Sequence, residues 1–584
     1  RYDHIEAEGA VDIPLSDAVR GRLAVKLIER DNWQDNIGNA DNAFNPNPVG
    51  PDPDNEGFGE ISSQNARLSL EADFTQTFSG LFRVAYHKNR NNNYGNTGVG
   101  GIDPDRFDPN DGANTRFNCP ANRLLTGECL FVSGGGVVFP QPPAADRDTV
   151  KVDVNDMSRD LDMTSASAEL VWDLGRSTLT SLTAVESVEF LNYDEFDGTD
   201  FFPFGGDRGD DTDQFLQELR LNGSGGSNDQ VQYVAGLFYL DVDSSNDDGK
   251  TPSEPTRQTR TTESVAIYAN VDVSISDATT FILGARYTDE DKSIDVNIPY
   301  SGASTASFSR SESDSFFTWR AGVQHDFSDA VMGFATISTG QKSGEFDTPN
   351  SATGETNFFK PETINSYEVG IKSSLAGNTA TLNVTAFWSE TEDYQFGGPA
   401  IDPNTGLPTT INNPVDAYES SGIEIETMVH ATEDFAVSAG LGYNKTEIKD
   451  PNATRAQTVE AISYALDGNQ MPGTPEWQAS IAMDYGFNIG SGRVSLHGEY
   501  IWQDEIFWDI SNNPFAVEDS YGVANFRVNW ENSEGKFRLG AYVDNAFEEE
   551  YADLRFWLPG FPLYIVQWGQ RPARTYGITA GISF

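Results

Sequence analysis

Only two cysteines occur in 584 residues, and 38 basic residues face 90 acidic ones. Two cysteines exclude both a disulfide-built scaffold and a multi-cysteine zinc module. The shortage of positive charge leaves a formal net charge of −52. That field repels phosphate backbones and removes nucleic acid from the candidate partners. No stretch approaches the ~18 consecutive apolar residues of a membrane-spanning helix. Apolar residues make up 38%, below the roughly 45–50% of ordinary soluble domains. Disorder is excluded all the same, because aromatics reach 12% and disordered chains are poor in them. There is no initiator Met, and Arg1-Tyr2-Asp3-His4 opens in mid-pattern. The sequence reads as one that starts partway through something longer.

Alternation at period two is what the chain has in abundance, and helical spacing is scarce. Phe435, Val437, Ala439, Leu441 and Tyr443 share one face, against Ala436, Ser438, Gly440, Gly442 and Asn444. Val494, Leu496, Gly498, Tyr500 and Trp502 likewise oppose Arg493, Ser495, His497 and Glu499. At the end, Tyr576, Ile578, Ala580, Ile582 and Phe584 oppose Thr575, Gly577, Thr579, Gly581 and Ser583. A soluble sandwich also alternates, but it must bury its apolar face under a second sheet.

Connector lengths separate the two architectures. Short turns, such as those at Ser276-Asp277-Ala278, Ser328-Asp329 and Gly490-Ser491-Gly492, alternate with long acidic loops rich in Asn, Asp, Gly and Pro. The long ones are expected at about 31–60, 89–157, 191–211, 395–415, 448–473 and 546–573. Two connector classes at opposite strand ends predict an all-β, transmembrane, antiparallel up-and-down β-barrel in an outer membrane. Ten hairpins and a final strand give about 21 strands. Such barrels have even strand counts, so the expected intact barrel has about 22 strands, with one missing before Arg1. Barrels of that size are associated with plugged transporters.

Several segments then carry a family likeness. Phe215 to Leu221 followed by Tyr233 to Tyr239 is one, and Leu283-Gly284-Ala285-Arg286-Tyr287-Thr288-Asp289-Glu290 is another. Lys360-Pro361-Glu362-Thr363 with Tyr367-Glu368-Val369-Gly370, Leu466-Asp467-Gly468-Asn469 with Pro472, Pro475 and Trp477, and Asp544-Asn545 with Phe547 and Tyr551 complete the set. In this order the chain resembles the C-terminal barrel of TonB-dependent outer-membrane receptors of the ferric-siderophore type. Thr339, Gln341 and Ala546 depart from the family's usual residues, which leaves the ligand subclass open. The resemblance implies capture of a scarce ligand, a ferric siderophore first, at the long loops. It also implies passage through the lumen when the TonB-ExbB-ExbD complex displaces a plug, and neither plug nor TonB box is in this sequence. The terminal Phe584 resembles the signal read by the outer-membrane barrel assembly machinery. The alternatives are a passive porin-like channel, or a receptor of the same family for an oligosaccharide or cobalamin.

No catalytic constellation is present, and no enzyme activity is expected. The five histidines lie on separate strands or turns without metal-ligand spacing. Glu424, Glu426 and Glu499 sit on polar strand faces as lumen lining. Asp52, Asp54 and Glu56 match the first half of a Ca²⁺ loop, but Ser63 stands where a bidentate Glu is needed. No protein-held metal or cofactor is therefore expected. Loop aromatics are the ligand-binding candidates: Phe201, Phe202 and Phe204; Phe507 and Trp508; Phe556, Trp557 and Trp568. Cys119 and Cys129 lie close together in one loop facing an oxidising exterior, so a disulfide is expected between them.

Overall fold

A computed structural model describes residues 3–36, 57–92, 97–99, 131–132, 138–139, 149–150, 157–195, 205–248, 256–298, 306–347, 356–401, 408–452, 454–457, 462–512, 516–557, 565–570 and 574–583. Twenty-one strands join in one antiparallel sheet, and each long strand pairs with its sequence neighbours. The meander starts with the hairpin Ile5–Ser16/Val19–Arg30 and ends with Phe537–Asp544 against Thr575–Ile582. No helix occurs among the described residues. The wall is that of an up-and-down β-barrel.

The short turns have a chemical signature. Five of them carry a residue, then Ser or Thr, then two turn residues: Leu15-Ser16, Phe74-Thr75, Ile275-Ser276, Phe327-Ser328 and Ala431-Thr432. In each, the register slips by one residue just before the turn, the mark of a β-bulge. The Ser or Thr hydroxyl oxygen then accepts the N–H two residues on, at 3.2–3.3 Å. A hydroxyl that mimics a backbone turn bond is why these residue types recur there. The bulged Leu15, Phe74, Ile275 and Phe327 side chains stay exposed and form an apolar rim at this end.

Register fixes the two faces. Leu219, Leu237, Ile267, Tyr287 and Phe317 are direct cross-strand partners over five strands and are all exposed, so the outer face is apolar. One residue along, Arg220, Gly236, Tyr268, Arg286 and Thr318 line the inner face. Leu496 opposite Val528 continues the outer band, and Ser495 opposite Asn529 continues the lumen. The buried side chains are gathered instead at the long-loop end, in clusters around Ile448, Phe58 and Ile294.

Two expected loops are shorter than the sequence suggests. Strands run to Glu195 and restart at Gly205, and they run to Ile401 and restart at Pro408. These hairpins rise past the apolar band, with polar residues on both faces. Ladder bonds and hydroxyl pairs such as Thr212 to Ser244 at 3.1 Å hold them, rather than apolar burial. Among the described residues no ladder joins Ile5–Ser16 to Thr575–Ile582. Both strands run toward the short-turn end, so antiparallel closure of the wall takes an odd number of strands between them.

The face assignment predicts a sharp asymmetry. Leu496→Arg or Val528→Lys should cost about 2–4 kcal/mol in a bilayer, the depth-dependent penalty of a lipid-facing charge. Ser495→Lys and Asn529→Lys should cost little. Denaturant unfolding of the chain in lipid vesicles measures both, and equal losses on the two faces would contradict the assignment.

A candidate ligand vestibule above a polar lumen

The long-loop end is built from the strand ends upward. Val415, Ile448, Leu466, Met471 and Ile510 form a buried cluster, with Tyr394, Phe396 and Tyr418 packed against it. The segment around Leu466-Asp467-Gly468-Asn469 is its clamp. Gly468 adopts φ +83°, which lets its N–H donate to the Ile448 carbonyl at 2.9 Å while Ile448 N–H donates to Asn469 O. Asp467 accepts the Asp450 N–H at 3.0 Å, and Asp450 accepts the Asp416 N–H at 3.0 Å. Asn512 then exchanges two bonds of 2.8 Å with the Gln470 backbone, tying the 504–512 segment to the same body. Burial pushes the Tyr394 hydroxyl pKa up, with Tyr418 and Glu362 adding to the effect.

A second cluster, Ile294, Val296 and Phe346 with Phe308 and Phe358, lies on the lumen side of tall strands. The small hairpin Glu345–Phe346/Phe358–Phe359 brings Glu345 over it. There Glu345 meets Arg260 at 3.0 Å and Lys292 at 3.1 Å. A third cluster holds Phe58, Val150 and Met157 with Tyr193. Gly57 at φ +131° makes its approach possible, because a Cβ there would collide with the Gln34 carbonyl.

Loops are also coupled to one another. Ala552–Trp557, Ile565–Gln570 and Thr97–Val99 form a three-stranded sheet drawn from two separate loops. Arg555 anchors it to a third: its guanidinium donates to Val517 O and lies 3.1 Å from the buried Glu518 carboxylate. On the outer face Lys445 and Lys449 hold the Glu447 pKa down to about 2, Lys449 contributing most.

Among the aromatic candidates, Phe507 pairs with Val517, and Trp508 N–H donates to Ala516 O at 2.7 Å. Both side chains are half-buried, and Trp508 lies beside Gly473 of the clamp segment. Phe556, Trp557 and Trp568 have their backbone in the three-stranded loop sheet. The structure thus joins the last two aromatic groups through Arg555 and the 516–518 segment. Phe201, Phe202 and Phe204, Cys119 and Cys129, Asp52, Asp54 and Glu56, and Phe584 lie outside the described residues. No group of three or more His, Cys, Asp or Glu suited to a metal ion occurs among the described residues. Register places Glu424, Glu426 and Glu499 on the lumen face, and Glu499 accepts from Asn525 at 2.9 Å. Sequence reading missed the Tyr394–Tyr418 wall and the Glu345 cation pair. Continued alternation over 408–418 was the available signal for the first.

Two outcomes follow for the vestibule. Arg555→Met leaves the Glu518 carboxylate buried without its cation, a loss of about 3–5 kcal/mol by the usual cost of breaking a buried pair. Hydrogen exchange should show faster opening of 516–518 and 552–557, with the wall unchanged. Glu447→Gln should lower thermal stability at pH 7. Because the native pKa is depressed, that difference is full above about 4.5, shrinks as pH falls, and is gone near pH 2. Melting curves of both forms across that range check the sign.

Comparison with known proteins agrees with this architecture. The family model "TonB dependent receptor-like, beta-barrel" matches residues 131–546. A probable TonB-dependent siderophore receptor, PiuA of Acinetobacter baumannii, is 23% identical over 283 residues, 46% of this chain. The vitamin B12 transporter BtuB of Vibrio vulnificus is 28% identical over 249 residues, 41% of this chain. The matched region spans 35% of the length of each of these curated relatives. In structure, the chain is similar to the ferric yersiniabactin uptake receptor FyuA from Yersinia pestis. That match has TM-score 0.75 and 15% identity, covering 100% of this chain and 78% of that one. It is also similar to the solved PiuA from A. baumannii, with TM-score 0.72 and 14% identity over 99% of this chain and 79% of that one. The family model covers more than half of the chain, and with a wall of 21 strands to match, the chain belongs to the TonB-dependent receptor family, as its β-barrel.

Proposed function

We propose that this barrel belongs to an outer-membrane receptor of a Gram-negative bacterium that takes up a scarce small ligand, a ferric siderophore first. The ligand is captured at the loop vestibule. It passes the lumen when a plug domain is displaced by the TonB-ExbB-ExbD complex, and the barrel assembly machinery inserts the protein through its C-terminal aromatic end at Phe584. The observation that carries this reading is the pairing of an ordered, aromatic-bearing loop layer with a wide lumen of polar and charged side chains. Iron stays with the siderophore, so the protein needs no metal ligands of its own. The vestibule aromatics supply flat apolar surface for a chelate, and the Cys119–Cys129 disulfide would stiffen the loop that carries it.

Width argues against a self-sealed pore. At ~22 strands, ~40° tilt and ~4.8 Å strand spacing, the backbone radius is near ~22 Å, too wide for wall side chains to fill. A plug is therefore required for selectivity. A cobalamin-type ligand is the second reading, favoured by the BtuB match.

Tryptophan quenching with a panel of ferric siderophores and cyanocobalamin should show saturable binding of one class. Phe507→Ala and Trp508→Ala should weaken it at least tenfold while leaving the fold intact. Residues 1–584 in planar bilayers should conduct as a large, ungated pore. Ligand binding unaffected by both loop variants, or a silent bilayer holding folded protein, would refute the reading.

A further inference from the structure

Above the apolar band, the outer face of the tall strands sets carboxylates directly against one another. Asp213 pairs across the ladder with Asp243. Asp241 pairs with Glu263, and Glu263 pairs in turn with Asp291. Like charges directly opposite in a sheet destabilise it, so this row is kept at an electrostatic cost. Little stands nearby to offset it. Among the described outward positions of the six strands between Ser158 and Ile298, the one basic residue is Arg257. The row lies outside the barrel wall, beyond the reach of anything that fills the lumen.

The same imbalance continues in the vestibule. Asp504, Glu505, Asp509, Glu518 and Asp519 flank Phe507 and Trp508, and residues 504–519 contain no Lys or Arg. Arg555 reaches this segment from another loop, and Glu518 holds it at 3.1 Å. Around the small hairpin at Glu345, each cation is matched by a carboxylate. Arg260 meets Glu345 at 3.0 Å, Lys292 meets Glu290 at 3.5 Å, and Arg310 meets Glu312 at 2.6 Å. Asp314 and Asp347 then leave that group acidic as well. A positive solute arriving here displaces nothing. A negative one must expel a carboxylate or sit beside one. The aromatic faces act in the same direction, because a ring face is negative and attracts cations.

We propose that the vestibule selects its cargo by charge, taking a ferric chelate of net positive charge and turning away anionic ones. Three hydroxamates cancel the charge of Fe³⁺, so a trihydroxamate with a pendant amine is positive. A ferric tris-catecholate is strongly negative and belongs to the excluded class. The outer carboxylates and the loop carboxylates form one field of one sign at the mouth. Such fields change association rates by about 10–1,000-fold and fade as salt rises. The proposal rests on the reading that the loops capture the cargo, and it adds the charge class of that cargo.

One chelate in three charge states is the test: ferrioxamine B, whose pendant group is an amine, and its N-acetyl and N-succinyl forms. These are positive, neutral and negative around the same iron centre. Binding to the purified 584-residue chain in neutral detergent is followed by tryptophan quenching at low salt. The amine form should bind at least tenfold more tightly than the succinyl form, with the acetyl form between. The gap should close in about 1 M salt, where the screening length falls to about 3 Å. Glu505→Gln combined with Asp519→Asn should narrow the low-salt gap threefold or more. Asp241→Asn with Glu263→Gln, on the outer row, should slow association of the amine form. Equal affinities, the reverse order, a gap that survives high salt, or indifference to both double variants would overturn charge selection. So would a ferric tris-catecholate binding as tightly as the amine form, or cyanocobalamin binding where none of the three does. In each of those cases capture at the loops still stands. Binding of none of these ligands would overturn capture itself, and charge selection with it.

Discussion

A strand wall that faces lipid has no water to satisfy its backbone, so each N–H and C=O must be matched by the next strand. That one requirement organises the rest. Once a ladder is complete, its register is passed from strand to strand, and period two assigns every side chain to one face or the other. The apolar row from Leu219 to Phe317 and the polar row from Arg220 to Thr318 are the same ladders seen from two sides. A slip of one residue would turn arginines outward. The bulged turns with their Ser and Thr hydroxyls confine such slips to the short-turn end, where an extra apolar residue costs nothing.

Within the apolar band, the wall was legible because burial and ladder agree there. The faces of Phe435 to Asn444 and of Arg493 to Trp502 can be read from residue order alone, and the register bears them out. Above the band the two signals separate. Strands at 205–225 and 408–432 carry Asp, Ser, Thr and Asn on both faces. Such composition reads as loop, yet ladder bonds alone continue the hairpin. The vestibule was legible in its parts and not in its assembly. Trp508 and Phe556 stand out as aromatics, whereas their link through Arg555 and Glu518 depends on two loops meeting in space. Pairing of charges is hidden for the same reason. Arg20 and Glu71 are 51 residues apart, and only register makes them partners.

That hidden pairing also explains how so acidic a chain tolerates a charged lumen. Exposed ion pairs contribute little individually, about 0–1 kcal/mol each. Their value here is positional: each one holds a long side chain against the wall. Arg286 is held differently, with its guanidinium over the Phe238 ring at 5.0 Å.

The loops complete the constraint from above. The sheet of Thr97–Val99, Ile565–Gln570 and Ala552–Trp557 connects the loop after the fourth wall strand to the loop before the last one. These lie toward the two ends of the meander. Backbone bonds thus tie together loops more than 450 residues apart in sequence. Arg555 extends the tie to the segment at Glu518, and from Phe507 the chain of contacts reaches the Gly473 clamp. The loops therefore form one connected body, in which the buried Arg555–Glu518 pair is the charged link.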